Sequence, residues 1–175
     1  MHILALLATL IGGGLFWLYR AQNATHAAHD LIDMAKDVRG AAHRFNFRRK
    51  ANRHPMESVD EPAVAIMTIA ASFFELDARA TQDTLDALID VAEHSLGYPK
   101  EDVDEMLVLA RWLSNQCPHE DIAISRMSRR LYKIDGTQSA KALMEVIEGT
   151  FERTGLEMTE RQNEALHRIQ RLMKI

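Results

Sequence analysis

The sequence predicts an all-α protein: one N-terminal transmembrane helix followed by a compact bundle of about six helices. Three observations carry that expectation. The 175 residues are 47% hydrophobic but only 6% aromatic, and Ala, Leu, Glu, Asp, Met and Arg outnumber Val, Ile and Thr, which is the chemistry of helix formers. Apolar residues recur at helical spacing along most of the chain, and no segment alternates with period two for long enough to read as a strand. Residues 3–19 form a run of 17 without a formal charge.

At about 1.5 Å per residue that run spans about 26 Å, close to the ~30 Å of a hydrocarbon core. Trp17 and Tyr19 suit the headgroup level and Arg20 can snorkel to it. Thr25-His26-Ala27 admits a cleaved signal peptide as the alternative. Against cleavage, there is no basic region before the run and Arg20 follows it at once. No Lys or Arg precedes the run, whereas Arg20, Lys36, Arg39, Arg44, Arg48, Arg49, Lys50 and Arg53 follow it, so the C-terminal side is expected in the cytoplasm. Ala5, Ala8 and Gly12 share one face where a neighbouring membrane helix could approach closely. Small residues are also simply frequent in membrane helices.

The expected organisation is an anchor over 1–20, a basic juxtamembrane helix and linker over 21–58, and a globular domain over 59–175. The net charge of −4 divides along that line. Residues 1–58 carry eight Lys/Arg against four Asp/Glu, and residues 59–175 carry thirteen against twenty-one. An acidic head excludes nucleic acid as a partner, because phosphate contacts need a basic surface. The lone Cys117 excludes an intrachain disulfide and reads as a small, buried or half-buried residue at a helix end.

In the stem, Leu31, Met34 and Val38 fall at helical spacing. Arg44, Arg48, Arg49, Lys50 and Arg53 then interleave with Phe45 and Phe47, a pattern suited to an anionic membrane surface. The plainer alternative is a solvated linker that fixes topology. His26 and His29 are too few to make a metal site.

Within the head, Asp60-Glu61-Pro62 opens a helix whose residues 63–74 are apolar nearly all round, so this helix should be central. Thr81 should cap a second helix, buried through Leu85, Leu88, Ile89, Ala92 and Leu96 and ended by Gly97. Pro99 opens a third, with Glu101, Asp102, Asp104 and Glu105 in its first turns and a stripe of Val103, Met106, Leu107, Ala110 and Leu113. Pro118, Glu120 and Asp121 start a fourth, turning Ile124, Met127, Leu131 and Ile134 inward. Thr137 should cap a fifth, through Leu143, Val146, Ile147 and Phe151. Thr159 and Gln162 form a capping box for the last.

No catalytic constellation stands out: there is no Gly-rich phosphate loop and no paired-Cys motif, and His119-Glu120 lacks the second histidine of a zincin helix. Neither an enzyme nor a cofactor is expected. Two charged faces remain. One is acidic, along the second helix and the start of the third. The other is basic, formed by Arg126, Arg129, Arg130 and Lys133 on the fourth. Each also reads as a face that keeps the domain in solution.

Two turns share a pattern in which a helix end is followed by a hydroxyl N-cap and a polar residue three positions on; the first opens with Asp77, where the second has Thr154. The first is Leu76-Asp77-Ala78-Arg79-Ala80-Thr81-Gln82-Asp83-Thr84. The second, with one more residue between the turn's first position and the cap, runs Thr154-Gly155-Leu156-Glu157-Met158-Thr159-Glu160-Arg161-Gln162. Over residues 61–175 this pattern resembles the tellurite-resistance TerB family, whose domain also forms the membrane-proximal part of DjlA-type co-chaperones. Ala78 stands for the family's glycine, and Thr84 and Gln162 for its glutamates. The resemblance implies a TerB-like bundle at a bacterial inner membrane and divalent cations bound by acidic residues at the turns, with Asp77, and nearby Asp83, as the candidates. A J-domain is not implied, since His54-Pro55-Met56 lacks the His-Pro-Asp signature. The expected function is therefore a non-enzymatic, membrane-tethered interaction module serving a membrane complex or envelope stress. Membrane lipid, another membrane protein or a second copy of the chain are the expected partners. The alternative is a divalent-cation-responsive or tellurite-stress protein.

Overall fold

The computed structural model describes residues 36–48 and 53–175. The expected anchor, with Ala5, Ala8 and Gly12, lies outside the described residues, as do Leu31, Met34, Arg49 and Lys50. Among the described residues no helix is long and apolar enough to cross a membrane, and all regular structure is helical.

After a helical stretch over 36–44 and a 3-10 turn, Pro55–Ser58, come six α-helices. They are α1 (Pro62–Phe74), α2 (Gln82–Leu96), α3 (Lys100–Ser114), α4 (Glu120–Asp135), α5 (Ala140–Thr154) and α6 (Glu160–Met173). As the apolar run predicts, α1 is central: every residue from Ala63 to Phe74 is buried, and α1 touches all five other helices, α3 and α4 most extensively. Its polar side chains bond within the core. Thr68 donates to the Val64 carbonyl at 2.7 Å, and Ser72 lies 2.7 Å from the Thr68 carbonyl and 2.9 Å from the Ser114 hydroxyl on α3. A buried hydroxyl without such a partner would cost about 1–3 kcal/mol.

Around α1, α2 pairs with α5 and α4 with α6. The α2–α5 pair approaches closely where α5 has Gly149, at which a Cβ would stand 2.9 Å from Val91 Cγ1. Phe73, Phe74 and Phe151 meet edge-on or tilted, with ring centroids 5.0–6.2 Å apart.

The helix ends follow local chemistry. Thr81 caps α2 by accepting from the Thr84 amide, and Gly97 ends it at φ 71°, a left-handed conformation that costs a glycine little. The capping box of Thr159 and Gln162 is complete. One expected cap is not used: Thr137 lies in a turn and α5 starts after Ser139. Asp135 accepts from the Ser139 hydroxyl, and the Ala140 amide bonds the Thr137 carbonyl, so the turn takes up the amides that Thr137 would have capped.

Residues ahead of 59 also belong to the packed unit. The compact head unit runs from Val38 to Ile175, because residues N-terminal to 59 supply core. Ala41 and Met56 are both 0% exposed. The 36–44 helix ends in a left-handed Asn46 at φ 50°. There the Asn46 amide bonds the His43 carbonyl and the Phe47 amide the Ala42 carbonyl, the paired bonds of a Schellman motif.

Candidate functional site

The two repeated turns are brought together. α1 ends at Phe74, and the chain passes through buried Leu76 to exposed Asp77; α5 ends in left-handed Gly155, and the chain runs to Thr159 at the start of α6. The Thr159 hydroxyl donates to Asp77 Oδ2 at 2.5 Å while accepting from the Gln162 amide at 3.1 Å. Gln162, buried, accepts from the Thr159 amide at 3.0 Å and reaches the Phe73 carbonyl at 3.4 Å. The cap of α6 is thereby also its attachment to the end of α1.

Arg161 spans the same junction. Its guanidinium donates to the Leu76 carbonyl at 2.5 Å and to Asp121 Oδ2 at 2.6 Å, and stands 3.7 Å from Asp77 Oδ1. Arg168, two turns further along α6, donates to Asp121 Oδ1 at 3.1 Å. Burial works against the charge of Asp121, but the bonds and charges of Arg161 and Arg168 outweigh it and hold the carboxyl below its ordinary range. A carbonyl and two carboxylates converge here, and the cation they receive is Arg161.

Asp83, the second expected metal ligand, is exposed on a different groove between the start of α2 and the end of α5, beside Thr81, Asp86, Asp90, Arg153 and Leu156. Its neighbours are engaged: Gln82 donates to Asp86 at 2.8 Å, while Lys100 and Arg153 donate to Asp90 at 2.7 and 2.6 Å. Asp77 and Asp83 are thus in separate clefts. Among the described residues no three His, Cys, Asp or Glu side chains are grouped to hold a metal ion.

The basic face of α4 divides in two. Arg130 donates through Nε to the Val59 carbonyl at 2.6 Å and also pairs with Asp60, and Arg126 lies 3.5 Å from Glu57. These two arginines fasten the 3-10 turn and the approach to α1. Arg129 and Lys133 are exposed and form what is left of the expected surface.

The stem residues divide likewise. Arg44 pairs with Asp102 and, at 3.0 Å, with Glu105 on α3. Phe45 meets Tyr98 and Phe47 meets Trp112 edge-on, at centroid distances of 6.5 and 6.0 Å. Arg48 and Arg53 are exposed. Both phenylalanines, expected to dip into a membrane interface, are half-buried on the head, against Tyr98 just ahead of α3 and Trp112 on it.

Asp121, Arg161 and Arg168 were not among the sequence candidates. Arg161 and Arg168 share a face of α6, which a helical wheel displays, but nothing local links them to a carboxylate 40 residues away. Among the described residues, fold and site together define a small all-helical bundle in which Arg44, Arg111, Arg130, Arg153, Arg161 and Arg168 bind its own elements to one another. The chain matches no known protein family, no curated protein and no solved structure.

Proposed function

We propose that this chain is a non-enzymatic interaction module with a TerB-like head, tethered to a bacterial inner membrane and facing the cytoplasm, where it recruits or stabilises a membrane partner. The observation that supports this reading most is the order of parts: an uncharged 17-residue run, then a segment rich in Lys and Arg, then an acidic head. Such an order suits a span oriented with its basic flank inside. The exposed Arg129 and Lys133 on α4 and the small-residue face of Ala5, Ala8 and Gly12 are the contact surfaces to examine first. The cation-responsive alternative has less support, since Asp77 already engages Thr159 and Arg161.

Reporter fusion after Ile175, with alkaline extraction of membranes, tests the reading. Cytoplasmic reporter activity in a pellet that resists extraction is the expected result. Periplasmic activity would reverse the orientation. A mature N-terminus near Ala28 would make residues 3–19 a signal peptide and end the tether reading.

A further inference from the structure

Three of the basic and aromatic side chains whose pattern suits an anionic bilayer, Arg44, Phe45 and Phe47, are in the folded head spent on α3 and on Tyr98 just ahead of it. Arg44 is held between Asp102 and Glu105, Phe45 lies against Tyr98, and Phe47 lies against Trp112. Each group can satisfy one surface at a time. The positive charge of Arg44 is already balanced by two carboxylates, so a lipid phosphate must compete with them for it, and a ring packed on Trp112 cannot also enter a headgroup layer.

The local architecture gives the exchange a hinge. Ala41 is wholly buried and fixes the preceding helix to the core. Asn46 holds a left-handed backbone at φ 50°, which Asn tolerates but which relaxes once the Schellman turn opens. Beyond it the chain is exposed again at Arg48. Residues 44–48 can therefore lift while residues 38–42 stay in place. The contacts that hold them are partly exposed ion pairs and two edge-on ring contacts, each individually weak, together with the half-buried packing of Phe45 and Phe47 against the core.

We infer that residues 44–48 are a strap exchanged between two surfaces, the acidic face of α3 and an anionic lipid bilayer, so that lipid charge uncovers Tyr98, Trp112 and the carboxylates of Asp102 and Glu105. This rests on the tether reading above, which brings the strap close to lipid. An uncovered α3 face presents an aromatic and acidic surface suited to a basic, apolar partner segment.

The test uses the full chain carrying Trp17→Phe, so that Trp112 is its single tryptophan, in nanodiscs of phosphatidylcholine alone or mixed with phosphatidylglycerol. In the mixed discs Trp112 emission should shift to longer wavelength, acrylamide should quench it more strongly, and the amides of Phe45 and Phe47 should exchange faster. Asp102→Asn with Glu105→Gln should bring release at a lower phosphatidylglycerol fraction. Identical spectra and exchange in the two discs would overturn the strap, as would an unchanged release point in the double variant. Should the chain fail to enter discs, the tether reading falls. The same spectra on the soluble chain with phosphatidylglycerol vesicles then decide the strap, a shift supporting it and no shift overturning it.

Discussion

Asp77 and Thr159, 82 positions apart in the chain, share a 2.5 Å hydrogen bond that joins the end of α1 to the cap of α6. Thr159 thus has two tasks, receiving the Gln162 amide and donating to Asp77. Loss of the cap alone costs about 0.5–2 kcal/mol. Thr159→Ala should therefore destabilise the domain by about 1–2 kcal/mol and Asp77→Ala by less. The double variant should fall short of the sum by about 0.5 kcal/mol or more, as groups in contact do. Urea denaturation of the four proteins gives the coupling, and strict additivity would show the bond to be idle in solution.

Arg161 carries more of the junction, with a carbonyl and two carboxylates on one guanidinium. Its side chain is 46% exposed, so solvent screens much of the gain. Arg161→Ala should lower stability measurably, since the Leu76 carbonyl and both carboxylates lose their shared donor. Arg161→Lys should recover less than half of that, since an ammonium cannot direct several donors in one plane. Thermal melts of both variants distinguish a positioned fork from a mere positive charge.

The same junction sets an acid limit. Asp121 has a folded-state carboxyl below its ordinary range, so the unfolded chain binds its proton at higher pH than the folded chain does. The stabilisation is then complete above the unfolded value, near 4, and disappears as pH falls through the lower folded value. Urea midpoints measured between pH 6 and strong acid should fall in that acid window. In Asp121→Asn the fall should be shallower, and an equal slope in both proteins would place the acid sensitivity elsewhere.

The bundle was legible from sequence because its signals are local. The apolar run of α1, the stripe of α2, Gly97 and the Thr159–Gln162 box each depend on spacing within a few residues. The junction around Arg161 was not, because Leu76, Asp77, Asp121 and Arg161 come from three chain regions and only packing unites them. The burial of Ala41 and Met56 was illegible for a related reason. Ala41 and Met56 lie among basic and polar residues, so their surroundings suggest a linker, although both are buried completely. Arg130 shows the opposite error: helical spacing places it on a charged surface, yet it bonds the Val59 carbonyl.

The burial of Ala41 and Met56 makes a direct prediction about truncation. A protein of residues 36–175 should unfold cooperatively and at higher denaturant than one of residues 59–175, which loses Ala41, Met56 and the strap. Within the longer protein Met56→Ala should cost about 2–5 kcal/mol, the range for emptying a large core site. Equal midpoints for the two truncations would mean that residues 38–58 pack without stabilising.

Gly149 tests a close contact between α2 and α5. A methyl group there would stand 2.9 Å from Val91 Cγ1, well inside the usual separation of about 3.5–4.0 Å between carbons. Two effects of Gly149→Ala oppose each other: helix propensity favours alanine by about 1 kcal/mol, while overpacking costs about 1–3 kcal/mol. Overpacking should prevail, because Val91 is β-branched and has little rotamer freedom on α2 with which to move aside. The single variant should therefore be destabilised by up to about 2 kcal/mol. Val91→Ala alone should also destabilise, by removing contacts between α2 and α5. In the double variant the new methyl occupies space that valine has left, so propensity is expressed without the clash and the protein should be more stable than either single variant. Chemical denaturation of the four proteins completes the cycle. A double variant weaker than both singles would show that the helices separate on substitution, and that their spacing depends on Gly149 itself and not on the Val91 side chain.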